Sequence, residues 1–286
     1  MSVKWGSFQS DRVFKCGNGI KQGGVLSPLL FKLYLDDLSI ILESTSVGPL
    51  VGDKRINHFM YADDIALVAM TPKGIQRLID ICEMYGPKHD LISNPLKTKL
   101  LIFRNKSYRD VTFPKIYLNG SEIEVVTRMK YLGIWLCDDL NDDIDILRQV
   151  RHVYAQGNSI IKKFHMCNTY TKVLLFKTYI YNLMGSHLWF RYKQISINKL
   201  RVAYNNVFRI FFKIPRLVDG ENVSIRGIFV SKHVQSFYER VRWSQVGFIQ
   251  RLLKCKNSMV KNFLLSSDVL HMSPVFAHWI TSVMAN

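Results

Sequence analysis

Tyr61-Ala62-Asp63-Asp64 has the clearest capacity for chemistry in this chain, because its two acids are the only charges in the apolar run from Phe59 to Met70. On a flat strand adjacent side chains point to opposite faces, but a tight turn can bring both carboxylates toward one spot. Held together they repel, and one tends to stay protonated unless a cation sits between them. Mg²⁺ suits hard oxygen ligands and keeps positions open for substrate phosphates. A pair of such ions can activate an attacking 3′ hydroxyl and stabilise a leaving pyrophosphate. An exposed Asp-Asp turn with no such role accounts for these four residues, taken alone, at least as well.

Three other segments carry functional residue types. Asn18 to Pro28 contains Gln22, Gly23 and Gly24 followed by Ser27 and Pro28. Paired glycines let backbone approach a ligand closely, and this loop feeds directly into a helix start; Gln22 offers both a donor and an acceptor. Lys97, within Asn94 to Lys99, could neutralise or protonate a pyrophosphate leaving group, although a solvated loop lysine explains it better in isolation. Lys130-Tyr131-Leu132-Gly133-Ile134 could hold a nucleic-acid backbone, and by itself reads as core strand.

The elements that would position these residues are legible in the spacing. The sequence predicts a helix over 27–42, capped by Ser27, with Pro28 in its first turn and Phe31, Leu35, Leu38 and Leu42 on one face. Residues 44–53 read as a loop. Ile56–Tyr61 and Ile65–Met70 read as two strands joined through Ala62-Asp63-Asp64. Thr71-Pro72 opens a second helix with Ile75, Leu78, Ile79, Cys82 and Tyr85 on one face and Gly86 as its stop. A strand around 100–103 follows, then a hairpin of 115–118 and 123–126 about the Asn119-Gly120 turn, then a strand over 129–136. Beyond Asp138 helical spacing takes over, through Leu140, Ile144, Leu147 and Tyr154, then Val173, Phe176, Ile180 and Leu183, then Leu200, Ala203, Val207, Ile210 and Phe211. The acidic stretch 138–145 marks the expected boundary, and the fold class is α+β followed by a mostly helical domain.

Charge divides along the same line. Residues 1–150 hold 19 Lys and Arg against 18 Asp and Glu, whereas residues 151–286 hold 20 against 4. That split suggests chemistry in the first half and polyanion binding in the second. Basic residues there are interleaved with aromatics, as in Lys162-Lys163-Phe164, Trp189 to Lys193 and Arg240 to Trp243. The bases would neutralise phosphates, while most of the aromatics fall on apolar helix faces and belong to the core. The 48% apolar composition is that of a globular protein. No stretch has the length of a membrane span, and the five cysteines, unclustered and odd in number, argue against a disulfide framework or a zinc pair. An intracellular protein, nuclear or cytoplasmic, is expected.

Order and spacing together resemble the reverse transcriptases of non-LTR retrotransposons (long interspersed elements). Gly19 to Phe31 is similar to their template- and nucleotide-binding segment, Phe59 to Ile65 to their catalytic box, Asn94 to Thr98 to their lysine motif and Lys130 to Gly133 to their primer grip. Phe176–Tyr181, His187–Trp189 and Tyr204–Arg209 resemble their thumb. The resemblance implies a partial right-hand polymerase palm over 1–137 and a basic helical thumb over 138–286. It implies Asp63 and Asp64 as metal ligands for Mg²⁺, with Mn²⁺ as the alternative ion, and Lys97 as proton donor. Gln22, Gly23, Gly24, Ser27, Tyr61 and Ala62 would form the nucleotide and template site, and Tyr131, Leu132 and Gly133 the primer grip. The implied partners are an RNA template with a DNA primer, dNTPs and other parts of the retroelement protein, with no membrane. The family's further aspartate, upstream of the Gly-Gly loop, has no counterpart here: Asp11 follows no apolar strand, and Asp36 and Asp37 lie inside the first helix. The expectation is therefore an RNA-directed DNA polymerase segment with little or no activity in isolation, the alternative being a non-catalytic nucleic-acid-binding remnant. A group II intron maturase or telomerase-like protein fits less well because of the thumb likeness. A decayed gene without a role is also compatible with the residues.

Overall fold

The computed structural model describes residues 4–11, 23–51, 54–103 and 112–256. In chain order the elements are β1 (Lys4–Trp5), β2 (Phe8–Gln9), α1 (Ser27–Glu43), β3 (Leu50–Val51), β4 (Lys54–Arg55), β5 (His58–Tyr61), β6 (Asp64–Leu67), α2 (Pro72–Tyr85) and a 3₁₀ turn (Gly86–His89). They continue with β7 (Lys99–Leu101), β8 (Tyr117–Leu118), β9 (Ser121–Glu122), β10 (Glu124–Val126), β11 (Arg128–Tyr131), β12 (Ile134–Cys137), α3 (Asp143–Phe164) and α4 (Thr169–Tyr179). The last are α5 (Gln194–Phe211), β13 (Leu217–Val218), β14 (Glu221–Asn222), α6 (Arg226–Ser231) and α7 (Phe237–Leu253). The described strands pair two by two; six pairs are antiparallel, and β7 with β10 is parallel. Mixed helices and small sheets of this kind agree with an α+β class.

Two compact units result, one from the described residues within Met1–Pro95 and Phe113–Glu122, the other from those within Leu96–Thr112 and Ile123–Asn286. In the first unit, Leu35, Leu38 and Leu42 of α1 meet Leu78 and Tyr85 of α2 in one apolar cluster. Phe31, placed with them by the spacing, is only partly buried at its edge. The helix starts differently from the expectation: Leu26 occupies the capping position without a side-chain bond, and Ser27 is the first helical residue. Pro28 in that first turn costs no hydrogen bond. Thr71 does cap α2, accepting from the Gly74 amide at 3.1 Å. Gly86 ends α2 in a right-handed conformation, not the left-handed one a glycine stop usually adopts. The chain runs on into the 3₁₀ turn and reverses at Asp90, whose φ is 50°. What Gly86 supplies is space, since a Cβ there would lie 2.6 Å from the Leu91 carbonyl oxygen.

Asn119-Gly120 forms the expected tight hairpin, both residues having positive φ (49° and 72°). Its return strand is Ser121–Glu122; the following residues, Glu124–Val126, leave the hairpin and pair in parallel with Lys99–Leu101. The strand expected across 129–136 is instead the hairpin β11–β12, reversing at Leu132 and Gly133 (φ 46° and 86°). The predicted loop over 44–53 contains one short strand, β3, paired with β4.

The second unit is built on a helical core. Ile146, Val153 and Ile160 of α3, Phe176 of α4, and Leu200, Ala203, Tyr204, Val207, Phe208 and Phe211 of α5 form its buried centre. Gly157 of α3 lets α5 approach closely, because a Cβ there would lie 2.5 Å from Val207 Cγ2. The buried face of α3 is not the predicted one: Leu140 precedes the helix and is exposed, as is Tyr154, while Ile144 and Leu147 are only half-buried. Apolar residues one position off the true stripe gave a misleading periodicity. Ile210, expected on the core face of α5, is 60% exposed.

Candidate active site and nucleic-acid interface

The acidic pair stands at the tip of the β5–β6 hairpin. Ala62 and Asp63 form the turn, and Asp64 opens β6 opposite Tyr61. Ala62 takes a φ of 51°, a left-handed conformation that a β-carbon disfavours. Strand alternation divides the hairpin cleanly. His58 and Met60 face inward with Ile65 and Leu67, and the last three pack on the α1–α2 cluster. Phe59 and Tyr61 face outward, and Asp64, Tyr61's cross-strand partner, shares their face. Asp63 and Asp64 are both exposed.

Three residues that sequence reasoning passed over fix the base of this hairpin to α1. Asn57, 2% exposed, donates from Nδ2 to the Leu42 carbonyl at 2.6 Å and to Thr45 Oγ1 at 3.0 Å. Its Oδ1 lies 2.7 Å from His58 Nδ1, and His58 Nε2 lies 2.8 Å from Ser39 Oγ. The Asn57 carbonyl accepts from Val68 N at 2.7 Å, closing the hairpin's open end. Burial lowers the His58 pKa, with Glu43 opposing more weakly. The available signal was a polar Asn-His pair entering an otherwise apolar strand.

Gly23 (φ 77°) and Gly24 lead into α1, and the Ser27 amide donates to the Gly24 carbonyl at 3.2 Å. Gln22 lies outside the described residues. Lys97 is exposed in a turn just ahead of β7, in the second unit. Tyr131, Leu132 and Gly133 belong to that unit too, where a Cβ on Gly133 would lie 2.7 Å from Met184 Cε.

Mg²⁺ would find suitable donors in Asp63 and Asp64, which offer hard carboxylate oxygens at an exposed tip. They fit as two of its ligands and not as a complete set. Among the described residues, no group of three or more His, Cys, Asp or Glu is placed to hold an ion.

Three of the acids at 138–145, the stretch read as a boundary marker, hold groups of the second unit through hydrogen bonds. Asp145 is 1% exposed. Its Oδ1 accepts from Arg148 Nε at 2.7 Å and from the Trp135 amide at 3.1 Å, and its Oδ2 from Trp189 Nε1 at 2.9 Å and Arg148 Nη2 at 3.2 Å. Arg148 Nη2 also reaches the Met184 carbonyl at 3.0 Å. One buried carboxylate thus ties β12, α3 and the 184–189 loop together. Beside it, Asp142 Oδ2 accepts the Phe190 and Arg191 amides at 2.9 and 2.8 Å, and Asp143 Oδ1 accepts the Lys193 amide at 2.9 Å. Burial raises the Asp142 pKa, and those two amide bonds pull it back in part.

Basic residues dominate the rest of this unit. Between Asp145 and Asp219 the chain contains no Asp or Glu. Of the aromatics in the expected interface, Trp189 is buried, Phe164, Phe190 and Tyr192 are partly buried, and Trp243 is 61% exposed. Cys82, Cys137, Cys167 and Cys255 are free thiols. Among the described residues no helix is long and apolar enough to cross a membrane.

Residues 4–136 match the family described as reverse transcriptase (RNA-dependent DNA polymerase). Among curated proteins, a probable RNA-directed DNA polymerase from transposon BS of Drosophila melanogaster is 24% identical over 267 residues, covering 87% of this chain and 29% of that protein. That alignment extends past residue 136 into the helical unit. The Pol polyprotein of the type-2 retrotransposable element R2DM, also from Drosophila melanogaster, is 33% identical over 139 residues, or 44% of this chain and 12% of its own length. A type-1 element R2 polyprotein of Nasonia vitripennis is 28% identical over 130 residues, 43% of this chain and 13% of its own. The chain therefore spans less than a third of each of these relatives. Residues 4–136, which contain the Asp63–Asp64 hairpin and the glycine-led first helix, match the reverse transcriptase family, and the relatives they resemble are polymerases of non-LTR retrotransposons.

Proposed function

We propose that this chain contributes the rear of the palm, within 1–137, and the thumb, within 138–286, to an RNA-directed DNA polymerase. The observation that carries this reading is the exposed Asp63-Asp64 tip on a hairpin anchored through Asn57 and His58 to α1, inside the segment that matches the family. Asp63 and Asp64 would hold Mg²⁺, or Mn²⁺ in its place, and the ion would activate a primer 3′ hydroxyl and neutralise the departing pyrophosphate. Gln22, Gly23, Gly24, Ser27, Tyr61 and Ala62 would shape the template and dNTP site. Lys97 would assist the leaving group, and the turn of Tyr131, Leu132 and Gly133 would contact the primer. The cationic second unit would bind the RNA template and DNA primer by phosphate contacts, weakly dependent on sequence and strongly on salt.

A non-catalytic nucleic-acid-binding role has one observation in its favour: two carboxylates are a poor cage for two dications, and no third joins them among the described residues. Primer extension separates the two readings. The purified chain on a primed RNA template in Mg²⁺ is expected to give little or no synthesis. Joined to the upstream part of the transposon BS polymerase, it is expected to extend the primer, with Asp63→Asn reducing the rate by at least about 100-fold. Extension that is indifferent to Asp63→Asn and Asp64→Asn would exclude these residues from catalysis. Template binding that survives with no extension in either form would favour the binding role.

A further inference from the structure

The C-terminal end of α5 contains a cationic cleft whose construction departs from local preference. The Lys213 amide donates to the Ile210 carbonyl at 3.2 Å and the Ile214 amide to the Arg209 carbonyl at 2.9 Å. These are the two bonds of a Schellman turn, with Lys213 in its left-handed position at φ 56°. Glycine suits that position, and a lysine carries backbone strain there. Strained non-glycine residues persist where the side chain is needed or the surroundings enforce them.

The turn folds back beside an open surface cleft of about 290 Å³, lined by Asn206, Arg209, Ile210, Lys213, Pro215 and Arg216 among others. Its guanidinium groups are held by neutral acceptors. Arg209 donates to the Pro215 carbonyl at 2.8 Å and to the Val223 carbonyl at 2.6 Å; Arg216 donates to Asn206 Oδ1 at 3.0 Å. Asn206 is itself oriented by a 3.4 Å bond to Tyr154 Oη. No ion pair with a carboxylate is present at any of the three cations among the described residues, and the sequence places no acid between Asp145 and Asp219. Three like charges on one cleft repel unless an anion enters. Ile210 and Pro215 are exposed beside them, giving the cleft an apolar wall.

The geometry points to a phosphate site at Arg209, Lys213 and Arg216 that takes one phosphodiester of a nucleic-acid strand. A guanidinium fork matches phosphate oxygens in a plane, and a lysine adds a point charge. The apolar wall fits a sugar or base edge next to that phosphate. This site rests on the reading of the second unit as a nucleic-acid binder, narrows it to three named cations, and makes no use of Asp63 or Asp64.

Lys213→Gly provides an unusually clean test, because it removes the charge while relieving the strain. Binding of a fluorescein-labelled single-stranded RNA 20-mer to the full chain is measured by anisotropy across a KCl series in EDTA. Lys213→Gly is expected to keep or raise the thermal midpoint and to weaken binding by about fivefold or more at 150 mM KCl. The log–log salt slope should fall by about 0.7, the value for one phosphate contact on a single strand. Lys213→Arg should restore both, and Lys177→Ala, which removes an exposed charge on α4, should lose less. Equal losses for Lys213→Gly and Lys177→Ala, or unchanged binding in Lys213→Gly, would overturn the site. Inorganic phosphate at constant ionic strength supplies the second arm. Competition with RNA in the wild type and not in Lys213→Gly supports the assignment. Phosphate binding that needs Lys213 while RNA affinity does not would reassign the cleft to a small phosphate ligand and overturn the strand assignment. No RNA binding by the wild type would overturn both this site and the nucleic-acid reading of the unit.

Discussion

At the scale of single residues, Asp145 has the most demanding environment among the described carboxylates. It is buried, and its two oxygens accept four hydrogen bonds, two from Arg148 and one each from the Trp135 amide and the Trp189 indole. A buried ion pair contributes little net stability compared with well-packed apolar residues, but removing one partner strands the other charge. Asp145→Ala should therefore lower the unfolding free energy by about 3–5 kcal/mol, within the range for breaking a buried pair; urea titration followed by far-UV circular dichroism measures it. A loss below about 1 kcal/mol would mean that the arginine finds water instead. Nothing in the local sequence distinguished Asp145 from its acidic neighbours. Its role depends on Trp189, 44 residues away in sequence, which only the folded chain brings to it. The Asp63–Asp64 pair was legible for the opposite reason, being local, adjacent and framed by apolar residues.

At the scale of elements, hydrophobic spacing located α1, α2, α3 and α5 but not α6 or α7, and it missed the buried face of α3. Leu35, Leu38 and Leu42 fell on the buried stripe of α1, whereas Leu140, Ile144, Leu147 and Tyr154 missed that of α3. The true stripe of α3 includes Asp145, Gln149 and Gly157, polar or small residues that a count of apolar positions ignores. Gly157 is there because α5 lies against it. Gly157→Ala puts a methyl group where Val207 already stands, 2.5 Å away, and should cost about 1–3 kcal/mol by overpacking, despite alanine's higher helix propensity. A stabilised Gly157→Ala in the same urea titration would show that the two helices can part at little cost. One turn was misjudged. Leu132 at φ 46° hid the reversal that splits 129–136 into a hairpin, while Asn119-Gly120 announced its own.

At the scale of the whole molecule, the acids are concentrated in the first 150 residues while the bases are spread evenly, so nearly all of the net positive charge falls in the second half. Residues 4–136 match the reverse transcriptase family, and the alignment with the transposon BS polymerase continues into the basic helical unit. The sequence order of glycine loop, acidic hairpin and basic helices carried the family; the anchoring of the hairpin by Asn57, His58 and Ser39 became visible only in the fold. Asp63 and Asp64 are proposed above as ligands of a catalytic divalent ion. Electron paramagnetic resonance of Mn²⁺ in the presence of the chain and a dNTP tests this role most directly, since the nucleotide phosphates supply ligands that the two aspartates lack. The chain is expected to retain bound Mn²⁺ beyond what the dNTP binds alone, and Asp63→Asn with Asp64→Asn is expected to weaken that retention by at least about tenfold. Mn²⁺ retention identical in the wild type and the double variant would contradict this role.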